Sequence, residues 1–568
     1  MSVSREETTK AAVDETYRRG PLSSAVKVAI IATLLAYGAL ALYQLGTTDL
    51  DDDEARYGTS ALNILRDYRQ LAIVSPDPEG VPWSTWPYAY PSLLAGSMAL
   101  FGHNEVALRM VNVVLMLLTA WCVYRLTASL VKDQTTALLA FGLFLLNPAV
   151  IAYARSLMAE TSIMFWGCLA MVAAVAYRET SRSRYAALCG AALGLGFLSK
   201  LWLVLPFCAA SALLLVSRLP DGKLAKLARD AGLGLVSFLI VAGSHLLLLR
   251  LLAPGSMKTW LATYFLSAAT TRVAGAGYDP RIWYKPGWFY FGTVFKAQLF
   301  ALPLLFAGIA ELVRRRQFLA LGCAAWLIGP VFVLSLFKVK EAPYICAAYP
   351  AMALLVACGL HSFFRDTRPM EVALSSLAAV AASVYFFVVG ALSLAQLAML
   401  LALYAFSLLA APARWFSPVW RKRAALAAAL ATLLFADGVV VWRQLQHRTY
   451  YREIASYFKP RVGPLRAGVP IFTAPDFPAL SFYLFRPGEY WESYYMHNSD
   501  ELFRYNLEHG NRVFYLVDPT HTSYGSRFKP EWGTLLKRNT VDITSEVEQA
   551  TGTKLNVQVL VPFARQQP

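Results

Sequence analysis

Five carboxylates, Asp49, Asp51, Asp52, Asp53 and Glu54, fall within six positions directly behind the first long apolar run of the chain. Charges that close repel one another and raise at least some of the proton affinities, unless cations, a metal or hydrogen-bond donors compensate. Such a cluster can take a proton from a hydroxyl or hold a cation; it can also be a solvated cap that keeps a helix end at the membrane surface. Arg56 and Tyr57 follow at once, and Glu54 to about Tyr68 has an amphipathic pattern, with Tyr57, Leu62, Ile64, Leu65 and Tyr68 able to rest on a membrane. Carboxylates held between a transmembrane helix end and an interfacial helix are well placed to meet a lipid headgroup.

Other ionisable residues sit where burial in lipid makes them costly, which marks them for function. Glu160 opens an apolar run. There it either compensates the helix dipole together with Arg155 or faces Asp53 across a site. Lys200 stands between two half-length apolar runs, either snorkelling to the surface or meeting a phosphate or carboxylate. A later loop supplies Lys258, Arg272, Arg281 and Lys285 among Tyr264, Tyr278, Tyr284, Trp283 and Trp288. Its aromatics read as interface anchors, and its cations as groups that could engage a phosphate. His245, inside an apolar run, reads as a packed residue, whereas His103 lies near a loop. The histidines have no zinc-like spacing, so no cofactor is assigned and a divalent metal stays open.

These residues are carried by a chain of 568 residues that is 57% hydrophobic and 15% charged, with a mean hydropathy of +0.45. Soluble domains are about 45–50% apolar and about 25% charged, so most of this protein is solvated by lipid. Disordered, collagenous and disulfide-framework classes are excluded by the same figures. The seven cysteines lie in or beside apolar stretches and read as small core hydrophobes. A net charge of +16 fits the basic cytoplasmic loops of a membrane protein better than nucleic-acid binding, for which there is no groove-reading motif.

Apolar segments long enough to cross a bilayer occur near 26–46, 104–124, 135–153, 159–177, 185–199, 200–217, 231–252, 288–311, 317–337, 343–362, 372–393, 394–412 and 424–442. The expected fold is therefore mainly α, a polytopic bundle of about thirteen transmembrane helices. With residues 1–25 as a cytoplasmic tail without a cleavable signal, every inside loop is basic, for example Arg178, Arg182 and Arg184, or Arg314, Arg315 and Arg316. The loops at about 47–103 and 253–287 and the tail after residue 443 then lie outside, so the chemistry is expected on the extracytoplasmic face. Residues 443–568 read as a small extracytoplasmic α/β domain, with strands at Val469 to Thr473 and Val513 to Val517 and helices at Asp500 to Glu508 and Glu531 to Lys537.

The acidic loop resembles the first extracytoplasmic loop of the C-type (GT-C) membrane glycosyltransferase superfamily. The likeness is to the branch of protein O-mannosyltransferases and lipid A aminoarabinose transferases, with Asp53, Glu54, Arg56 and Tyr57 matching its Asp-Glu, Arg and Tyr. Further motifs follow in order. Gly102, Asn104, Glu105, Ala107 and Arg109 are similar to the entry to the second span, and Ala154, Arg155 and Glu160 to a short outer turn. Gly194, Gly196, Phe197, Leu198, Ser199 and Lys200 match a break between two short spans, and Lys340, Pro343, Tyr344, Tyr349 and Pro350 the opening of a later one. Two features depart from the family. Trp86-Pro87-Tyr88-Ala89 stands where many relatives carry Lys-Pro-Pro-Leu, whose lysine is expected to hold the lipid phosphate, and Ala268, Ala269, Thr270 and Thr271 stand directly before Arg272 where the aminoarabinose branch often has a His.

The resemblance implies an inverting integral membrane glycosyltransferase at a bacterial inner membrane with its active site on the periplasmic side. Its donor would be a polyprenyl-phosphate sugar and its acceptor a glycolipid, a glycan or a protein. The placement agrees, because nucleotide sugars are cytoplasmic and an activated sugar reaching outside carboxylates must arrive on a lipid. Asp53 is the expected base, with Glu54 and Glu160 as further catalytic carboxylates. Arg56, Tyr57, Tyr88, Arg109 and Arg155 are expected to contact substrate, as are Lys200, Lys340 and Tyr344. Arg272 and Lys285 are the expected replacements for the missing lysine, with Lys338 in reserve. Membrane lipids are the other partners. A glycan ligase or polymerase and a lipid-linked sugar flippase or transporter are the competing classes; against the transporter, no internal repeat stands out and the charges gather in loops rather than at the midplane.

Overall fold

The computed structural model describes residues 24–50, 52–71, 87–216, 224–262, 302–314, 318–365, 450–461 and 537–555. It also describes shorter pieces at 284–287, 289–290, 441–445, 470–473, 482–483, 492–495, 515–517 and 557–562, and single positions at 274, 293, 438 and 534. The architecture is mainly α. In chain order the helices are α1 (Ser24–Leu42), α2 (Asp52–Arg66), α3 (Ala89–Phe101), α4 (Glu105–Val131), α5 (Gln134–Leu145), α6 (Pro148–Ala154), α7 (Ala159–Thr180) and α8 (Ser183–Lys200). They continue with α9 (Leu205–Val216), α10 (Leu224–Leu252), α11 (Leu302–Arg314), α12 (Phe318–Ser335), α13 (Tyr349–Arg365), α14 (Tyr451–Arg461) and α15 (Thr544–Thr551).

Local chemistry sets the boundaries. Asn104 caps α4 by accepting from the Ala107 amide, Asp133 caps α5 through Thr136, and Asn147 caps α6 just ahead of Pro148 at its first turn. At the other end of α4 the chain leaves through Lys132 in the left-handed region, φ 59°. By length and composition α4, α7, α10 and the stretch Ala342–Ser362 can each cross a membrane, and α5 with α6, bent by 58°, makes a fifth span if counted as one. α1, α3, α9 and α12 contain shorter apolar stretches. The spans expected at 372–393, 394–412 and 424–442 lie outside the described residues, apart from position 438 and the first two residues of 441–445.

Close helix contacts depend on glycine. A Cβ on Gly190 of α8 would collide with the Gly234 carbonyl of α10, and one on Gly359 of α13 with the Leu304 carbonyl of α11, so these backbones meet directly. The bundle core runs from Tyr37 on α1 through Phe144, Met164 and Phe207 to Trp326 and Ala357. A second core joins α2, α3 and α4 to residues after 450, among them Ile454, Phe458, Phe482 and Val559.

Among the described residues the expected loop at 47–103 contains two α-helices. The amphipathic stretch is α2, while α3 is an apolar helix that the sequence reading left in the loop. Its 13 residues are too few for a span, which is why a span-length criterion passes over it. Among the C-terminal elements, β1 (Pro470–Thr473) pairs in parallel with β2 (Glu492–Tyr495). β5 (Gln558–Pro562) lies between β3 (Tyr515–Val517) and β4 (Thr540–Asp542), antiparallel to both. The helix expected at Asp500 to Glu508 lies outside the described residues, as does most of that at Glu531 to Lys537.

Candidate functional site

The acidic stretch enters α2 on a backbone held by Arg109. From the first turns of α4, its Nη1 donates to the carbonyls of Leu45 and Thr48, each at 2.8 Å, and to the Thr48 hydroxyl at 2.9 Å. Its Nη2 donates to the Asp49 carbonyl at 2.9 Å and to Glu54 Oε2 at 2.7 Å, and Nε reaches Glu54 Oε1 at 3.4 Å. Glu54 Oε1 also accepts from the Leu157 amide at 2.7 Å. The guanidinium and the carboxylate are both buried. Arg109, expected to bind substrate, thus directs every nitrogen of its guanidinium into the protein, and Glu54 ties the start of α2 to the turn before α7.

Arg155 is occupied in a similar way. Its Nη1 donates to the carbonyls of Leu40, Ala41 and Tyr43 at 3.0, 3.2 and 2.8 Å, closing the C-terminal end of α1, and Nε donates to Gln444 at 3.0 Å. A cation there satisfies carbonyls that the helix itself leaves open. The alternative reading of Glu160, charge compensation together with Arg155, finds no support in these contacts. Glu160 instead meets Lys200: Nζ donates to Oε1 at 2.6 Å, with the carboxylate side chain 1% and the lysine side chain 26% exposed. Among the described residues Glu160 Oε2 is buried without a hydrogen-bond partner.

Around this pair the structure gathers several of the expected residues. The Lys200 ammonium lies 5.3 Å from the centre of the Tyr344 ring, a cation–π distance, and the charge of Asp53 and the Tyr57 phenol also act on it. Tyr57 is buried edge-on against Tyr90 at 5.0 Å, while Asp53 is exposed on the first turn of α2 and Arg56 is half-buried one turn on. Ser162 and Ser199 meet at 2.8 Å beneath, joining α7 to α8.

Other expected residues stand apart. Tyr88 shares a 2.9 Å hydrogen bond with Ser244 and stacks on His245 at 6.0 Å; His245 also meets Trp260 at 4.8 Å, as a packed residue does. Lys340 is buried, and its amine donates to the carbonyls of Lys285, at 3.1 Å, and Phe337. It thereby joins 285 to the strand-like contact between Tyr284 and Val339. Lys285 and Lys338 are exposed on that contact, and Arg272 lies outside the described residues.

Residues the sequence reading did not single out also shape the site. Asn112 accepts from the hydroxyls of Tyr90 and Thr161 at 3.1 and 2.8 Å and donates to the Ser156 carbonyl, fixing the turn between α6 and α7. A polar amide in an apolar helix was its available signal. Asp49, between α1 and α2, is raised above the usual carboxylate range by burial and by the Glu453 charge, against the pull of Arg452. Among the described residues no three or more His, Cys, Asp or Glu side chains group as metal ligands, and His103 packs on the Phe482 ring at 4.5 Å.

Comparison with known proteins adds to this geometry. The family described as dolichyl-phosphate-mannose-protein mannosyltransferase matches residues 86–247. An undecaprenyl phosphate-alpha-4-amino-4-deoxy-L-arabinose arabinosyl transferase of Pseudomonas aeruginosa (strain UCBPP-PA14) is 28% identical over 341 residues, which is 58% of this chain and 58% of that protein. The match thus spans little more than half the length of that curated relative. The crystal structure of ArnT from Cupriavidus metallidurans bound to undecaprenyl phosphate superposes with a TM-score of 0.66 at 14% identity, covering 96% of this chain and 99% of that one. The archaeal oligosaccharyltransferase AglB from Archaeoglobus fulgidus, in complex with an inhibitory peptide and a dolichol-phosphate, gives a TM-score of 0.50 at 13% identity, covering 87% and 69%.

Proposed function

We propose that the chain, whose fold is similar to that of the C-type membrane glycosyltransferases, moves a sugar from a polyprenyl-phosphate donor to a glycolipid, polysaccharide or protein acceptor on the outer face of the membrane. The observation that carries the reading is the Glu160–Lys200 pair within reach of the Asp53 charge, Tyr57 and Tyr344, a buried carboxylate with one oxygen unpartnered among the described residues. A bundle of about thirteen spans with an extracytoplasmic α/β domain after residue 443 is the architecture that goes with it.

In the reaction an acceptor hydroxyl oxygen attacks the anomeric carbon as the bond from that carbon to the phosphate oxygen breaks, and the configuration inverts. Asp53, exposed at the first turn of α2, takes the hydroxyl proton, a step worth about 10²–10⁴-fold in general-base catalysis. The phosphate leaves with the bonding electron pair. Lys200, already held by Glu160, supplies positive charge toward it, and the further cations are Arg272 and Lys285 of the second loop and Lys338, which follows α12. Glu160 Oε2, buried and without a hydrogen-bond partner among the described residues, would accept a hydrogen bond from a hydroxyl or amine of the sugar. If the acceptor is itself a phosphate no base is needed, and Asp53 then positions it.

The test is transfer of radiolabelled sugar from a panel of polyprenyl-phosphate sugars by detergent-purified protein, wild type against Asp53→Asn. Transfer that falls by about 10²–10⁴-fold in the variant supports the reading. Undiminished transfer removes Asp53 from the mechanism. Activity with lipid-linked oligosaccharide alone makes the protein a ligase, and vectorial movement in liposomes without transfer makes it a transporter.

A further inference from the structure

The backbone that delivers Asp53 is held a second time, by residues some four hundred positions later in the chain. The Arg452 amide donates to Asp49 Oδ2 at 3.2 Å across a separation of 403 residues. Its guanidinium donates from Nη2 to the Gly46 carbonyl at 2.9 Å and to Glu105 Oε1 at 2.6 Å, and Nε stands 3.7 Å from Asp49 Oδ1. The Leu50 amide donates to the Tyr483 hydroxyl at 2.9 Å, and the Tyr483 ring lies 5.8 Å from the Arg452 guanidinium carbon. Arg109 therefore takes the carbonyls of Leu45, Thr48 and Asp49, while Arg452 and Tyr483 take Gly46, the Asp49 carboxylate and Leu50.

Apolar packing reinforces the same junction. Leu50, Tyr57, Ala61 and Leu62 share a core with Ile454, Phe458 and Phe482. On α2 itself, Gly58 lets the Phe482 ring approach so closely that a Cβ would lie 3.1 Å from it. Asp53 stands three residues past Leu50 and is exposed, so its place follows from the backbone beneath it.

We propose that Arg452 and Tyr483 are positioning residues for Asp53, acting through Gly46, Asp49 and Leu50, so that the segment after residue 450 completes the active site rather than only covering it. This rests on the reading of Asp53 as the base. The geometry gives it weight because a displacement of about 1 Å at a reacting group costs up to about 10²-fold in rate.

The test uses the full-length protein with Arg452→Gln, Arg452→Lys and Tyr483→Phe. Tyr483→Phe removes one hydroxyl and guards against misfolding of the charge variant. Hydrogen–deuterium exchange across residues 45–60 is expected to accelerate in Arg452→Gln and Tyr483→Phe, with α7 and α8 unchanged. With a polyprenyl-phosphate sugar as donor, kcat is expected to fall about 10-fold or more in Arg452→Gln while KM stays within about two-fold, the signature of a group that matters in the transition state. Arg452→Lys should recover part of the rate, since one ammonium can meet Glu105 but not all of the guanidinium's partners. Unaltered exchange at 45–60 overturns the proposal, as does faster exchange with unchanged kcat, which would leave the contacts as scaffold. If the wild type transfers no sugar, the functional reading fails, and the exchange arm alone then decides whether the junction is held as described.

Discussion

Two buried carboxylate–cation pairs of nearly equal length sit at the same end of this bundle and do different things. In Glu54–Arg109, at 2.7 Å, every nitrogen of the cation is engaged by the protein and the carboxylate also receives the Leu157 amide. In Glu160–Lys200, at 2.6 Å, one carboxylate oxygen has no partner among the described residues, and the lysine side chain is about a quarter exposed beside Tyr344. A saturated pair can only hold backbone in place. An unsaturated buried pair costs free energy that a ligand can offset by completing it. Both pairs contain residues of the ordered motifs, so membership in a motif does not separate the scaffold from the site; the count of used donors and acceptors does.

Three substitutions test whether the two pairs differ in this way. The largest stability effect is expected from Arg109→Met, which strands Glu54 in a buried position and releases three carbonyls. Removing one partner of such a pair typically costs about 3–5 kcal/mol, so thermal unfolding in detergent should show a much lower Tm, partly recovered by Glu54→Gln in the same chain. A Tm unchanged from wild type would mean that the pair is not the scaffold described. Lys200→Met should act mainly on the reaction. Transfer is expected to fall about 10²-fold, the scale for loss of one charge-stabilising donor, with a smaller change in Tm than Arg109→Met because this pair is partly solvated. Full activity would remove Lys200 from the site. The smallest effect is expected from Tyr344→Leu, which takes away the cation–π face and about 0.5–2 kcal/mol of support for the ammonium. It should appear as a modest rise in donor KM with little change in Tm, and a Tm loss equal to that of Arg109→Met would contradict the division.

Part of this was open to reading from the chain alone. The amphipathic stretch became α2, and the half-length runs on either side of Lys200 became α8 and α9, because periodicity and run length are local properties. The beginning of α7 at Ala159 agrees with the expected start near 159. The helix α3 was missed because 13 apolar residues fall below span length. Of the two readings of Glu160, the local pair with Arg155 is not formed: the arginine reaches the open carbonyls at the end of α1, and the carboxylate is taken by Lys200. Lys340 was read as a substrate cation, and its amine instead joins two backbone carbonyls of neighbouring segments.

That the protein is built for lipid, where many of its helices run, and which ionisable residues lie at their ends can be read from the chain alone. Composition and run length carry those facts, because the free energy of placing a residue in hydrocarbon depends chiefly on the residue itself. Only the tertiary structure decided which cations are closed and which are open, and that Arg452 and Tyr483 stand beneath the acidic stretch. Hydrogen bonds from a side chain to distant backbone carbonyls follow no periodic pattern in the sequence, and their partners are chosen by the packing of helices separated by hundreds of residues.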